Sequence, residues 1–247
     1  MKRIIQYFSM IAILILTGCS DDSDSSARNE SGDGSGGSLA VFALKGDYLY
    51  TVDHADLNVF SLLADTGPVK VNAVQVGFNI ETLFSDGNYL YIGSANGMFI
   101  YSIENPENPI MLSAVQHITA CDPVVANSTH AFVTLHSNTF CGNATNILEV
   151  YDTADPKNPV LVHTRNLTFP KGLGLYGHYL FICDDEIKIF DVQNPAEPVL
   201  AGSINELCFD VIIKDNDLFA IGENSVQRYV LNPLNISNPT LAGKVEF

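Results

Sequence analysis

From about Ser38 to the C-terminus, short apolar runs alternate with polar residues at a period of two, and Gly, Asn, Asp and Pro clusters separate them. Val, Ile, Tyr and Phe dominate the runs, the composition of half-buried strands. Outside the N-terminal segment no long stretch places apolar residues at i, i+3, i+4 and i+7, so the pattern predicts strands and no extended helices.

The runs recur as a unit. One copy reads Tyr89-Leu-Tyr-Ile-Gly, Met98-Phe-Ile-Tyr-Ser-Ile, Asn105-Pro-Glu-Asn-Pro and Ile110-Met-Leu. A second runs from Tyr179-Leu-Phe-Ile-Cys through Ile187-Lys-Ile-Phe-Asp-Val and Asn194-Pro-Ala-Glu-Pro to Val199-Leu-Ala-Gly. A third runs from His130-Ala-Phe-Val-Thr through Leu148-Glu-Val-Tyr-Asp-Thr and Asp155-Pro-Lys-Asn-Pro to Val160-Leu-Val. Looser copies start at Tyr48 and Leu218. Aligning Leu49, Leu90, Ala131, Leu180 and Phe219 gives intervals of 41, 41, 49 and 39 (90−49, 131−90, 180−131, 219−180). That period and strand content match four-stranded propeller blades better than a helical solenoid.

In unit 2 the strands are expected at Glu81 to Ser85, Asn88 to Ser94, Met98 to Ile103 and Pro109 to Val115. Hairpin turns fall at Asp86-Gly87-Asn88 and Ala95-Asn96-Gly97. The two prolines before the fourth strand cannot donate to a ladder and belong in a turn or on an outer edge. Unit 1 supplies its own first strand, Leu39 to Leu44, and unit 5 its own last, Thr240 to Phe247. The expected fold is therefore all-β: one five-bladed β-propeller of four-stranded antiparallel blades over residues 38–247, with no strand exchanged between the termini. Blade limits fall near 38–78, 79–119, 120–168, 169–206 and 207–247.

Strands ending Val150-Tyr-Asp and Ile189-Phe-Asp-Val, followed by Asx-Pro-x-x-Pro-Val-Leu, resemble the LVIVD-repeat family of β-propellers in bacterial secreted and surface proteins. The likeness is most specific in units 2 to 4. Unit 1 carries Thr66-Gly-Pro in place of the double-proline turn, and unit 5 inserts Leu234-Asn-Ile-Ser between its prolines. The resemblance implies the fold and an envelope setting, with no defined chemistry.

The N-terminus supplies an address. Lys2 and Arg3 precede an apolar run, Ile4 to Leu16, too short to span a bilayer comfortably. Leu16-Thr17-Gly18-Cys19 resembles a bacterial lipobox, so residues 1–18 are expected to be a lipoprotein signal peptide and Cys19 the lipidated N-terminus. Residues 19–37, rich in Ser, Asp and Gly, read as a flexible tether. Ser20 beside the cysteine argues against the Asp-type signal that retains lipoproteins at the inner membrane, and the acidic Ser20-Asp-Asp run resembles a surface-export signal of Bacteroidota lipoproteins. The expected location is the outer membrane, lipid-anchored through Cys19 and facing the cell exterior.

The full chain carries a formal charge of −16. Removing Lys2 and Arg3 with the signal leaves 10 basic against 28 acidic residues, a net of −18. That excess repels nucleic acid and anionic lipid. The expected partner is an extracellular ligand or an envelope protein. No Cys-x-x-Cys, Gly-x-Ser-x-Gly or nucleotide-loop context occurs, and no metal or cofactor is expected.

Two candidate features remain. Cys121, where blade 3 begins, and Cys141, in the long loop His136 to Asn146, are expected to reach one another and form a disulfide. Cys183 and Cys208 fall on the same side and read either as a second pair or as buried core thiols. Nine residues before each anchor stand Ala40, Glu81, Asp122, Lys171 and Asp210. Innermost strands begin there, so Glu81, Asp122, Lys171 and Asp210 are expected to converge at one mouth of the central channel as a ligand-binding site. The alternatives are a solvated rim, a glycan hydrolase using Glu81, Asp122 and Asp210, and a structural subunit of an envelope complex.

Overall fold

The computed structural model describes residues 36–116, 123–137 and 145–247. Residues 1–35, which include the expected signal peptide, Cys19 and most of the expected tether, lie outside the described residues, as do Cys121, Asp122 and Cys141.

Five four-stranded antiparallel sheets follow one another along the chain, each in simple up-and-down order. Blade 1 comprises β1 (Phe42–Lys45), β2 (Tyr48–Val52), β3 (Asp56–Ser61) and β4 (Val69–Gln75). Blade 2 comprises β5 (Ile80–Asp86), β6 (Tyr89–Ser94), β7 (Gly97–Ser102) and β8 (Ile110–Gln116). Blade 3 holds β9 (Val124–Ala126), β10 (His130–Leu135), β11 (Ile147–Asp152) and β12 (Val160–Asn166). Blade 4 holds β13 (Leu173–Tyr176), β14 (Tyr179–Cys183), β15 (Ile187–Asp191) and β16 (Val199–Ile204). Blade 5 holds β17 (Asp210–Lys214), β18 (Asp217–Ile221), β19 (Ser225–Val230) and β20 (Thr240–Glu246). Among the described residues, no strand is exchanged between blades. The architecture is the five-bladed all-β propeller that the repeat predicts. Unit 1 differs locally: its first strand starts at Phe42 rather than Leu39, because residues 38 and 39 form a turn.

Pairing corrects one register. Leu49, Leu90, Ala131 and Leu180 each face an aromatic on the third strand, at Phe60, Tyr101, Tyr151 and Phe190. In blade 5 the residue in that position is Leu218, opposite Tyr229, and not Phe219. The last interval is therefore 38 (218−180) rather than 39.

Every blade carries a β-bulge at the same place, immediately before that third-strand aromatic: Val59/Phe60, Ile100/Tyr101, Val150/Tyr151, Ile189/Phe190 and Arg228/Tyr229. A bulge adds a residue on one strand and sharpens the local twist. Four of the aromatics it precedes, Tyr101, Tyr151, Phe190 and Tyr229, are buried against the preceding blade. The residue after each second-strand anchor packs from the other side, as Tyr50, Tyr91 and Phe181 do. Each such ring contributes about 1.5–3 kcal/mol on full burial, which outweighs a single net hydrogen bond of about 1 kcal/mol.

The Asx-Pro segments close as turns, with Asn108 N donating to Asn105 O, Asn158 N to Asp155 O and Glu197 N to Asn194 O. Each turn lies on the outer strand of the blade before it. Asn72 Nδ2 donates to Glu107 O at 2.8 Å, Ser113 Oγ to Pro156 O at 2.7 Å and Arg165 Nη2 to Pro198 O at 2.6 Å. In blade 4 the register position of Asn72 and Ser113 is held by Gly202, opposite Ile189, and a Cβ there would meet Ser237 Cα of blade 5 at 2.7 Å.

Four apolar clusters fill the seams 1–2, 2–3, 3–4 and 4–5. No cluster joins blades 5 and 1 among the described residues. Leu49 and Phe60 of blade 1 and Phe219 of blade 5 stay half-buried, where their counterparts Leu90, Tyr101 and Tyr91 are buried. Strand β20 is exposed along its whole length, and a Cβ on Gly243, the blade-5 counterpart of Gly202, meets nothing. Unit 1, which lacks the double-proline turn, thus has no clasp to offer blade 5.

The two glycines make a paired test. Gly202→Ala is expected to cost about 1–3 kcal/mol through the clash with Ser237, while Gly243→Ala leaves stability unchanged or slightly raised. Denaturant unfolding of both variants measures the difference, and equal effects would mean that no turn seats on Gly202.

Candidate functional site

Every innermost strand begins on one face of the disk, here the upper face. Among the described residues, the connectors into β5, β13 and β17 lie there too, beside the turns that join β2 to β3, β6 to β7, β14 to β15 and β18 to β19. A groove of about 300 Å³ opens on this face between blades 4 and 5. Phe169 and Lys171 of the connector into β13, the turn residues Asp184 and Asp185, Leu207 to Phe209 of the connector into β17, and Glu223 line it.

Two devices hold these connectors in place. A disulfide joins Cys183, at the end of β14, to Cys208, two residues before β17. Of the two readings open to this pair, the bonded one holds. The second device is the buried carboxylate of Asp184. It accepts the N–H groups of Thr168 at 3.1 Å and Phe169 at 2.5 Å and pairs with Lys188 Nζ at 3.2 Å. A carboxylate receiving backbone donors and a cation satisfies its own burial and fixes the loop that donates. Lys188 also bonds Asp185, whose carboxyl it holds below its usual range.

The apolar walls remain open to solvent, with Leu207 68%, Phe169 40% and Phe209 39% exposed. The ammonium of Lys171 stands 5.4 Å from the centre of the Phe169 ring, a cation–π distance. The backbone of Lys171 is anchored on both sides: its N–H donates to Cys183 O, and its carbonyl accepts Thr134 Oγ1 from blade 3.

The predicted mouth residues have different fates. Glu81 sits half-buried in the irregular start of β5, where the ladder skips from Ile80 to Thr82. Lys171 lines the groove. Asp210 occupies a different position from its supposed equivalents. With Leu218 as anchor, the ninth residue before it is Phe209, so Asp210 aligns with Gly172 and Thr82. A one-residue step along a strand turns a side chain to the opposite face, and Asp210 is buried.

Its carboxylate instead ties the incoming chain to the propeller. Ser38 Oγ donates to Asp210 Oδ1 at 3.0 Å and accepts Leu173 N at 2.8 Å. Leu39 N and Val211 N also donate to Asp210. One residue further on, Ala40 O accepts Leu83 N of blade 2 at 2.7 Å. Residues 38–40 therefore link blades 4 and 5 to blade 2. The fit is close: a Cβ on Gly37 or Gly172 would stand within 2.1–2.2 Å of the Asp210 carboxylate. Burial raises the Asp210 pKa to about 6, against the opposing pull of its donors.

Sequence reasoning names Lys171 only as a channel-mouth residue and does not name Phe169, Leu207, Phe209 or Glu223. The available signal was an apolar residue in a connector, where polar residues are the rule.

Comparison with known proteins agrees with this architecture. LVIVD repeats match residues 84–116 and 171–206. No curated protein sequence matches the chain. Among solved structures, a functionally unknown protein from Desulfotomaculum acetoxidans DSM 771 superposes with a TM-score of 0.64 at 11% identity, covering 83% of this chain and 69% of that one. A Lactobacillus plantarum protein gives 0.66 at 11% identity, covering 80% and 67%. The periplasmic gluconolactonase of Pseudomonas aeruginosa gives 0.63 at 13% identity, covering 81% and 68%. At these identities the likeness is one of fold.

Two stability predictions follow from this geometry. Replacing both Cys183 and Cys208 by Ala opens a loop of 25 residues and is expected to cost about 3–4 kcal/mol in the chain-entropy view, measured by denaturant unfolding. For Asp210 the folded pKa lies above the unfolded value of 3.8. The folded state then holds the extra proton, so its stabilising contribution is complete below about pH 4 and is lost as pH rises through 6. The loss is on the order of 3 kcal/mol. Asp210→Asn should flatten that part of the stability–pH profile, and a wild-type profile already flat between pH 4 and 6 would refute the assignment.

Proposed function

We propose that this chain is a lipid-anchored outer-membrane protein, facing the cell exterior, whose propeller is a binding module rather than an enzyme. The lipobox-like Leu16-Thr17-Gly18-Cys19 and the tether that follows support the address. The groove carries the binding reading: exposed aromatic and aliphatic side chains, held by a disulfide and a buried carboxylate, flank a lysine with no competing ion pair among the described residues. Preformed apolar concavities with a few oriented charges are the usual form of small-ligand sites.

The hydrolase alternative needs two acids facing one reacting bond. Of its three proposed acids, Asp210 is buried and satisfied by Ser38, Leu39 and Val211. Asp184 and Asp185 are tied to Lys188. The gluconolactonase likeness contributes the fold and no lactone chemistry.

Membrane fractionation tests the address, since Cys19→Ala should move the protein from the membrane to the soluble fraction. For the binding reading, the unlipidated chain is screened on glycan, polysaccharide and peptide arrays beside Lys171→Ala, Phe209→Ala and Asp122→Ala. A ligand lost with Lys171 and Phe209 supports the groove. Binding that survives both would place recognition elsewhere, and turnover of a captured ligand would replace the binding module by an enzyme.

A further inference from the structure

The groove has an unusual inventory for a carbohydrate site. Its lining offers charged groups and apolar walls, with no hydroxyl or carboxamide side chain among them. A sugar presents many neutral hydroxyls that need such partners. The two charges facing the groove without an ion pair among the described residues are opposite: Lys171 on the blade-4 side and Glu223 on the blade-5 side. Phe169, Leu207 and Phe209 share the lining with them. A simple anion would meet Lys171 but also Glu223 and Asp185. A simple cation would meet Glu223 but also Lys171. A molecule carrying both charges around an apolar body satisfies the whole lining.

We propose that the groove between blades 4 and 5 binds a zwitterion with an apolar side chain, an amino acid or a short peptide, its carboxylate on Lys171 and its ammonium on Glu223. The proposal rests on the groove being the binding site of the module described above. Its size, about 300 Å³, falls at the lower end for small-molecule sites and suits one or two residues rather than a long polymer. Phe169 supplies a surface that stays in place because Asp184 holds its backbone N–H. Leu207 and Phe209 flank Cys208, so the disulfide holds the opposite wall.

Calorimetric titration of the mature chain with four probes tests this. They are phenylalanine, N-acetylphenylalanine, which lacks the ammonium, phenylalaninamide, which lacks the carboxylate, and the dipeptide Phe-Phe. Phenylalanine or Phe-Phe should bind, and each single-charge probe should bind about tenfold more weakly, as expected for a lost charge-assisted hydrogen bond. Tighter binding of Phe-Phe identifies peptides as the source, and tighter binding of phenylalanine identifies free amino acids.

The variants make the assignment specific. Lys171→Met should erase the difference between phenylalanine and phenylalaninamide while leaving that with N-acetylphenylalanine. Glu223→Gln should do the converse. Circular dichroism confirms that both variants fold. Equal affinity for all four probes, or no binding of phenylalanine and Phe-Phe at millimolar concentration, overturns the proposal. If the arrays meanwhile yield another ligand dependent on Lys171, the binding module stands and only its ligand class is wrong. If neither experiment yields a ligand, the binding reading fails with it.

Discussion

The contact on which this propeller depends is the seating of one blade's Asx-Pro turn on the outer strand of the blade before it. Sheets of this length have two broad faces and cannot bury both alone. The bulge before the third-strand aromatic and the turn after the same strand together present a ring and a polar clasp to the preceding sheet. The ring supplies apolar burial. Backbone carbonyls at Glu107, Pro156 and Pro198 supply the clasp. Both parts belong to the repeat, which explains why its most regular segment is a turn that looks, in isolation, like a surface loop.

That rule also accounts for the place where the ring is weakest. Blade 1 lacks the double-proline turn, and among the described residues nothing covers the outer strand of blade 5, which is exposed along its whole length. Its face toward blade 1 carries Arg228 where the inner blades have Ile100, Val150 and Ile189, paired with Asp217 at 2.9 Å. A polar outer face is how terminal repeats of stacked proteins stay soluble. The ends are held by a different device, residues 38–40, which bond to blades 4 and 5 through Ser38 and to blade 2 through Ala40. Asp210 is then a structural anchor for the incoming chain.

Much of this was legible in the sequence because it is repeated. Five units, their strands, the turns and the absence of strand exchange all follow from a pattern sampled several times over. The error at Asp210 arose where that sampling is poorest. Leu218-Phe219-Ala220 offers two apolar residues as anchor, and only pairing with Tyr229 selects the first. A single step in register moved a carboxylate from the supposed mouth to a buried site, since strand side chains alternate with period two. The groove was illegible for another reason. Phe169, Leu207, Phe209 and Glu223 lie in connectors that share no pattern, and their convergence depends on the seam between two blades. Cys183 and Cys208 were the one visible hint, since the second strand of unit 4 ends on the side of the disk where the first strand of unit 5 begins.

The position of the groove follows from the same construction. Strand residues in an inner blade are committed to seams on both sides, so variation without loss of packing is confined to connectors and turns. On the upper face of blades 4 and 5 the connectors gained exposed apolar residues, which normally cost solubility and invite aggregation. Burying Asp184 beneath one connector and joining the other to β14 by a disulfide give those residues fixed positions rather than a collapsed patch. Fixing exposed apolar groups in this way adds nothing to the core, which the four seam clusters already fill. It does lower the entropy that a ligand would otherwise lose in ordering the site. Two connectors, one held by a buried carboxylate and the other by a disulfide while their aromatic side chains face solvent, are better explained by recognition than by stability, and this holds whichever ligand the groove takes.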